Sequence, residues 1–352
     1  MDFKELRRYV GSEFQHFGVK EFMLLRGKEN GVRMMQVKNG GKLRFDVVTD
    51  RALDIGNLEY KGLNCSFMSK TGIVNSKYYV ENGPDGFYKN FYGGMLTSCG
   101  MTHMGAPCED EGRKLGLHGP LSCTPAEEVS VRTEKTDTNA PYIEIKGKMR
   151  QSEVYAENLV MDRTIRVDYG KDIISIRDTV TNKAFVPAPF MLLYHYNFGY
   201  PFLSEKTKLM LSYKEFTPRD EPAAKGQNRK YVFEKPEDGR PEECYFYKLA
   251  SDGNGITKVL VENEELEIAA VLQFNTGQLE YMTEWKSMMA GDYALGINPG
   301  TYTPMGRAHA RQNGLLKFIQ PGESLHFDVS IEFTDDKNYI KKLQNIIKCL
   351  TF

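Results

Sequence analysis

The sequence predicts an all-β protein, a large antiparallel β-sandwich with a few short helices. From about Gly31 onward, short apolar runs with period-two alternation recur, and turn residues separate them at roughly 8–12 residues. Hydrophobic residues make up 41% of the chain and charged residues 26%, as in globular proteins. No internal repeat or change of composition divides the sequence, so we expect one domain over residues 1–352. Within it, residues 1–30 are expected to form an N-terminal helix and extension, and residues 335–352 a C-terminal helix.

Composition also limits the partners and the compartment. The formal net charge is −1, which provides no overall field for nucleic acid or an anionic membrane. The first residues lack an apolar core of signal-peptide length, and no later run reaches the length of a membrane span. Six cysteines without a secretion signal are expected to stay reduced. We therefore expect a cytoplasmic protein that binds neither nucleic acid nor membrane; the sequence does not indicate its oligomeric state.

The individual elements follow in chain order. Asn39-Gly40-Gly41 joins two alternating runs, and these residue types predict a hairpin because they tolerate positive φ. The apolar run 186–203 predicts a buried strand that carries His195 and Asn197. The polar, proline-containing segment 214–243 is interpreted as an exposed excursion. Further strands are predicted at 129–135, 142–152, 159–170, 173–183, 244–250, 256–265, 266–275, 278–287 and 293–300, with a hairpin at 315–333.

One stretch, Phe91–Cys123, lacks the periodicity of a helix or a strand. It contains seven glycines, three cysteines and two histidines, together with enough apolar residues to argue against disorder. Long irregular segments in compact domains are usually functional. We therefore expect an ordered loop system that lines a site.

Three histidines are candidates for proton transfer, because the pKa of an unperturbed imidazole lies near neutral pH. His118 is flanked by glycines, which permit close approach of a ligand. His195 lies in the apolar strand, with Asn197 on the same face two residues later. His309 lies between two arginines. The alternatives are a core histidine at position 195, a loop histidine at 118 and a surface histidine at 309.

A metal site and nucleotide chemistry are weighed against this interpretation. A mixed cysteine and histidine set is present, but it contains no Cys-x-x-Cys pair, so we expect no metal and treat a zinc protein as a minor alternative. No P-loop, dinucleotide fingerprint or Gly-x-Ser-x-Gly motif occurs, and no cofactor is expected. Amide, imidazole and aromatic side chains suit a polyhydroxylated ligand, whose apolar face Trp285, Tyr194 or Tyr196 could cover. The mixed set comprises Cys99, His103, Cys108, His118 and Cys123.

Six segments together resemble the aldose 1-epimerase (galactose mutarotase-like) superfamily, and most closely its DUF4432 branch. They run in the family's order over about residues 30–335. They are DRALDIG (50–56), YGGMLTSCGMTHMG (92–105), DEGRKLGLHGPLS (110–122), LLYHYNFGYPFL (192–203), EWKSMMAGDYALGINPG (284–300) and GRAHARQNGLLKFIQPGE (306–323).

The resemblance implies a β-sandwich that binds a sugar and interconverts its anomers by acid/base ring opening. His195 matches the family's acid, and His118 matches a histidine that holds the sugar. The family's base is a glutamate before a proline, but the matching residue here is Asn298, and an amide cannot act as a general base. Another carboxylate would have to replace it, and the candidates are Asp54, Glu111, Glu284 and Asp292.

The remaining substrate-binding candidates are Arg51, Asp54, Asn197, Trp285, Asn298 and Arg307. Arg51 and Asp54 are expected to form an ion pair in the wall of the site or a purely structural pair. Arg307 could reach an anionic group of a modified sugar. Two functions stay open: an aldose 1-epimerase-like isomerase, and a sugar-binding or sensing protein in which Asn298 marks a lost base.

Overall fold

Two large antiparallel sheets dominate the computed structural model, which describes residues 3–134 and 141–350. One sheet has eight strands and the other has seven, and a five-stranded meander precedes them in the chain. The predicted all-β sandwich is confirmed. Residues 1–2 and 351–352, the ends of the predicted terminal helices, lie outside the described residues, and so does residue 135 at the end of a predicted strand.

The strands of the described residues are, in chain order, β1 (Phe17–Met23), β2 (Arg33–Asn39), β3 (Leu43–Val48), β4 (Asp54–Tyr60), β5 (Leu63–Asn64), β6 (Phe67–Met68), β7 (Gly93–Gly94), β8 (Leu96–Met101), β9 (Cys108–Asp110), β10 (Arg113–Leu115), β11 (Glu127–Glu134), β12 (Tyr142–Ser152), β13 (Asn158–Asp168), β14 (Ile173–Asn182), β15 (Ala188–Phe198), β16 (Thr207–Met210), β17 (Tyr213–Pro218), β18 (Glu243–Leu249), β19 (Ile256–Asn263), β20 (Ile268–Asn275), β21 (Tyr281–Met289), β22 (Asp292–Gly300), β23 (Lys317–Ile319) and β24 (Ser324–Thr334). The eight-stranded sheet has the order β11-β12-β13-β14-β24-β20-β19-β16. The seven-stranded sheet has the order β17-β18-β21-β22-β15-β23, and β8 also pairs with β15.

Helices are few and short. The α-helices of the described residues are α1 (Phe3–Leu6), α2 (Asp85–Tyr88), α3 (Glu221–Gly226), α4 (Arg307–Gln312) and α5 (Lys337–Cys349). In α5 the Asp336 side chain accepts hydrogen bonds from the first turn, as an N-cap does. Ile340, Leu343 and Ile347 form its buried face and pack against the eight-stranded sheet. Burying three such side chains is worth roughly 1.5–3 kcal/mol each, which holds the helix on the sheet.

Strand β15 separates two apolar clusters. Leu192, Tyr194 and Tyr196 belong to the main core between the sheets. Met191 and Leu193 belong to a smaller cluster that includes Phe87 and other residues of the segments covering the outer face. Because side chains alternate along a strand, His195 shares that outer face. Tyr194 and Tyr196 therefore face the core, and the prediction that they cover a sugar is wrong.

Three local predictions have a clear outcome. The hairpin at Asn39–Gly41 is confirmed: β2 and β3 pair, and Gly40 adopts φ 77°. The hairpin at 315–333 is wrong, because β23 pairs with β15 while β24 pairs with β14 and β20. The stretch Phe91–Cys123 is not irregular throughout, since β8 forms a fully buried strand against β15.

Candidate active site

The register of the seven-stranded sheet brings four polar residues into one row. Thr97 of β8 pairs with His195 of β15. The pairing of β15 with β22 on either side of His195 places it across from Asn298. Asn298 in turn pairs with Thr283 of β21. Thr97, His195, Asn298 and Thr283 therefore run across the outer face of the sheet from four strands that lie far apart in sequence.

Aromatic rings surround this row. The ring centroid of His195 lies 5.4 Å from that of Trp285, 5.5 Å from Phe91 and 5.8 Å from His118. Phe87 lies beside His118, with the ring centroids 4.7 Å apart. The His195 imidazole is therefore enclosed by aromatic rings. We call the residues His118, His195, Thr283, Trp285 and Asn298 the histidine site.

The His195 ring is held by Asn197, the next residue on the same face. His195 Nδ1 lies 2.5 Å from Asn197 Oδ1, and the Asn197 amide nitrogen donates to the backbone oxygens of Gly94 and His195. Burial lowers the pKa of His195 to about 4, against the opposing effects of the Asn197 hydrogen bond and the Glu242 charge. The imidazole is therefore neutral at pH 7.

His118 enters the site from a strained turn. Its φ of 61° lies in the left-handed region, and Gly119 follows with φ 69°. Its backbone N–H donates to Gly105 and its carbonyl accepts from Gly100, which anchors the turn. Burial is the main cause that lowers the pKa of His118 well below its ordinary value, followed by repulsion from His195. The site thus contains two neutral imidazoles.

Three polar atoms of the histidine site are buried without a hydrogen-bond partner. They are Asn298 Oδ1, Thr283 Oγ1 and His118 Nδ1. Asn298 is 1% exposed and Thr283 is 3% exposed. Buried polar groups in proteins are nearly always paired, so this cluster of unpaired ones is a candidate place for a polar ligand.

Glu242 and Arg219 belong to the same region, although neither was predicted. The Trp285 indole Nε1 donates to Glu242 Oε2 at 2.6 Å, and Arg219 donates to Glu242 Oε1 at 2.8 Å. Arg219 also pairs with Asp220. Both residues come from the segment 214–243, so the interpretation of that segment as an exposed excursion is wrong in part; Phe233 there is also buried. Glu242 lies just before β18 and two positions before Cys244, which pairs with Trp285, so extending the alternation of the strand by one residue was the available signal.

Arg51 and Asp54 do not form the predicted ion pair. Arg51 donates to the backbone oxygens of Val74, Asn90 and Ser122, and is completely buried. Asp54 instead pairs with Arg163 at 2.9 Å and accepts from Ser98. On β8, Ser98 faces away from Thr97, so Asp54 lies on the other side of the sheet from His195.

Arg307 and the remaining carboxylates lie outside the histidine site. Arg307 donates to Asp110 at 2.6 Å and to the Thr102 carbonyl, so its charge is neutralised and buried. His309 lies beside Tyr302. The other predicted bases have partners elsewhere: Glu111 with Arg311, Asp292 with Lys70, and Glu284 with the Tyr247 hydroxyl inside the core.

The cysteines are all free, and no group of three or more His, Cys, Asp or Glu side chains in residues 3–134 and 141–350 is arranged to hold a metal ion. Of the proposed zinc set, Cys99 is buried in the apolar cluster beside Leu193. His103 contacts Cys108 at 4.0 Å and the Gly116 carbonyl at 2.8 Å. Among the helices that the structure describes, none combines the length and apolar character needed to cross a membrane.

The sandwich is that of galactose mutarotase-like proteins. The chain belongs to the family described as "Domain of unknown function (DUF4432)", which it matches over residues 29–333. No curated protein matches it.

Solved structures with the same fold cover nearly the whole chain. A candidate aldose 1-epimerase from Klebsiella pneumoniae is 25% identical, with a TM-score of 0.89 over 94% of this chain and 87% of that one. A galactose mutarotase-like protein from Clostridium acetobutylicum is 15% identical, with a TM-score of 0.63 over 91% and 99% of the two chains. A galactose 1-epimerase from Lactobacillus acidophilus is 10% identical, with a TM-score of 0.57 over 90% and 99%. The two structures below 25% identity support the fold alone.

Proposed function

We propose that the histidine site binds a free aldose and interconverts its anomers by acid/base ring opening. The observation that carries this proposal is the row of His195, Asn298 and Thr283, in which a neutral imidazole lies beside two buried, unpaired oxygens. The likeness to a candidate aldose 1-epimerase supports the same chemistry. In this proposal the chain is a cytoplasmic isomerase that needs no cofactor and has no nucleic-acid or membrane partner.

The chemistry of the site fits a sugar. The Trp285 and Phe91 rings, 6.1 Å apart, offer apolar surface for the C–H face of a pyranose. Asn298 and Thr283 offer oxygens to its hydroxyls, and Glu242, whose side chain is 42% exposed, extends the polar rim. Each hydroxyl that pairs with a buried oxygen removes the cost of leaving that oxygen unpaired, on the order of 1–3 kcal/mol.

The charges of the site favour a neutral sugar. Arg219 is balanced by Asp220 and Glu242, and Arg307 by Asp110. An anionic group would therefore meet two carboxylates around Arg219 rather than a free cation. This replaces the earlier suggestion that Arg307 receives an anionic substituent.

Two surface cavities elsewhere on the protein are less suitable. One of about 780 Å³ lies beside α5, and another of about 550 Å³ lies on the outer face of the eight-stranded sheet. Neither is lined by a residue with a buried, unpaired polar atom. Size alone therefore does not select the site.

The test is anomer exchange, measured by NMR saturation transfer on a panel of aldoses with the purified protein. We expect faster exchange for at least one neutral hexose or pentose, and a loss of 10²-fold or more in His195→Gln, which is the scale of general acid–base catalysis. His326→Gln is the matched control, because His326 is an exposed histidine on the eight-stranded sheet. If no aldose in the panel exchanges faster, the isomerase proposal is wrong.

A second function, sugar binding without turnover, is favoured by Asn298, which stands where the family resemblance places a catalytic glutamate. Calorimetry would then show affinity for a sugar whose anomers do not exchange faster. Asn298→Glu discriminates between the two, because it places a carboxylate opposite His195. If Asn298→Glu gains exchange that the wild type lacks, the wild type is a binding protein.

A further inference from the structure

The Asn197 amide oxygen lies against Nδ1 of the His195 ring. We propose that His195 performs both proton transfers of the ring opening by itself, as a one-histidine relay, and that Asn197 is the positioning residue that makes this possible. The inference rests on the proposed isomerase function. It assigns His195 the opposite starting role from the family resemblance, which implies that His195 begins as the acid.

The tautomer follows from the hydrogen bonds of the amide. Asn197 Nδ2 donates to Gly94 O at 3.1 Å and to His195 O at 2.8 Å, and carbonyl oxygens can only accept. The amide oxygen is therefore the atom that faces His195 Nδ1, and Nδ1 must donate to it. A neutral imidazole with its proton on Nδ1 has a lone pair on Nε2. His195 thus starts as a proton acceptor.

A single ring nitrogen can make both proton transfers of the ring opening. In a cyclic aldose the anomeric oxygen O1 and the ring oxygen O5 are both bonded to C1, so one nitrogen can reach both. The O1–H bond breaks as Nε2–H forms, C1=O1 forms as C1–O5 breaks, and the proton on Nε2 passes to O5. His195 is neutral again, and no outside proton is needed. Rotation about C1–C2 and the reverse steps close the other anomer.

The surroundings support the relay at each stage. During the brief imidazolium state, the Nδ1–H bond to Asn197 becomes charge-assisted and stronger, without any movement of the ring. Asn298, across the sheet, presents an amide that cannot take the proton but can hold a sugar hydroxyl. Both Glu242 oxygens already accept hydrogen bonds, one from Trp285 and one from Arg219. The carboxylate therefore positions Trp285.

Burial has a further effect on the intermediate. The pKa of His195, lowered to about 4, makes its imidazolium more acidic than that of an ordinary histidine, which favours passing the proton on to O5. The same burial leaves the neutral form, which starts the cycle, dominant at every pH above about 5.

The first experiment needs no substrate and no measurement of activity. Nitrogen-15 NMR of the wild-type protein, with the His195 signals assigned by their absence in His195→Gln, reports which ring nitrogen carries the proton. We expect a protonated Nδ1 and a bare Nε2 between pH 6 and pH 8. A protonated Nε2 would overturn the relay, whether or not the protein accelerates exchange.

The second experiment is the pH dependence of kcat for anomer exchange. In a relay the neutral histidine is the active form, so kcat falls only on the acid side, as pH drops through about 4. Asn197→Asp places a carboxylate on Nδ1, and we expect its acid limb to move up by at least about 1 pH unit. If His195 instead begins as the acid, kcat rises as pH falls, and the limb of Asn197→Asp appears on the alkaline side.

Glu242→Gln separates the relay from a two-residue mechanism. We expect kcat to fall by less than about 10-fold, with a rise in KM, whereas loss of a general base costs 10²-fold or more. A loss of 10²-fold in kcat would assign the base to Glu242 and overturn the relay, while anomer exchange itself would still support the proposed function. If exchange is absent in the wild type, the proposed function fails instead.

Discussion

Two buried polar clusters lie on opposite sides of the seven-stranded sheet, and they differ in how completely their hydrogen bonds are made. The Arg163 network consists of Arg163, Asp54, Asp178, Ser98 and Tyr194. Arg163 donates to both carboxylates and to the Ala52 carbonyl, and Tyr194 donates to Asp178 at 2.7 Å. In the histidine site, by contrast, three buried polar atoms have no partner.

The difference distinguishes a structural cluster from a candidate ligand site. A charged group in the interior is tolerated only when its partners are complete, and the Arg163 network meets that condition with its own side chains. An incomplete cluster carries a free-energy cost that a bound polar molecule removes. Burial and polarity are common to both, so the unpaired atoms are the informative feature.

The largest expected effect is on stability, in the complete network. Arg163→Met leaves Asp54 and Asp178 buried without their cation, and breaking a buried pair in this way costs about 3–5 kcal/mol. Denaturant unfolding measures it. Arg177→Met, which removes an exposed arginine paired with Asp328, is the control and should change stability by less than about 0.5 kcal/mol. If Arg163→Met changes the free energy of unfolding only slightly, a complete set of hydrogen bonds does not identify a structural cluster.

An intermediate effect is expected at Glu284, which lies on the core side of the sheet but has one unpaired oxygen. Burial raises the pKa of Glu284 to about 8, and Tyr247 donates to its other oxygen at 2.7 Å. The folded state therefore holds a proton that the unfolded state releases above about pH 4.5, and stability falls as pH rises towards 8.

Glu284→Gln removes this titration while keeping the acceptor for Tyr247. Between pH 6 and pH 8 we expect the variant to gain stability relative to wild type, on the order of 2 kcal/mol. Urea unfolding at the two pH values measures the difference. Glu264→Gln, at an exposed carboxylate paired with Lys208, should show no such change. If the difference in stability between Glu284→Gln and wild type is the same at both pH values, Glu284 is ionised in the folded protein and neighbouring groups balance its charge.

The smallest expected effect on stability is in the incomplete cluster. Thr283→Val removes an unpaired hydroxyl, so stability should stay within about 0.5 kcal/mol of wild type or rise. Sugar affinity, measured by calorimetry, should fall about 3–10-fold, the worth of one hydrogen bond.

Thr207→Val is the matched control for this substitution. Thr207 is a buried threonine whose hydroxyl donates to Phe202 and accepts from Ser204, and its loss should cost about 1–3 kcal/mol without affecting sugar binding. Equal stability losses in the two valine variants would show that Thr283 has a protein partner after all.

Much of the sandwich was predictable because its signals are local. A continuous apolar run predicted the buried strand that became β15, and the positive φ preference of Asn-Gly predicted the hairpin between β2 and β3. The failed hairpin at 315–333 shows the limit of such reasoning. Two consecutive strands separated by a turn have the same sequence pattern whether they pair with each other or with strands of different sheets.

The candidate site was predictable only in part. His195 and Asn197 lie two residues apart on one strand, so alternation alone places them together. Glu242 and Arg219 were missed because their segment is polar and rich in turn residues, which resembles a solvated loop. Arg51 and Asp54 were paired wrongly, since proximity in sequence does not reveal that Arg163, about a hundred residues later, is the nearer cation.

By itself, the sequence determined the all-β class and the strand that carries His195. These depend on residue identity and on periodicity along one strand. Only the tertiary structure decided which polar groups are paired, because pairing depends on register between strands that are distant in the chain. That register places Asn298 and Thr283 beside His195 with their oxygens unpaired. The tertiary contact of the Asn197 amide nitrogen with the Gly94 carbonyl also turns the amide oxygen towards His195.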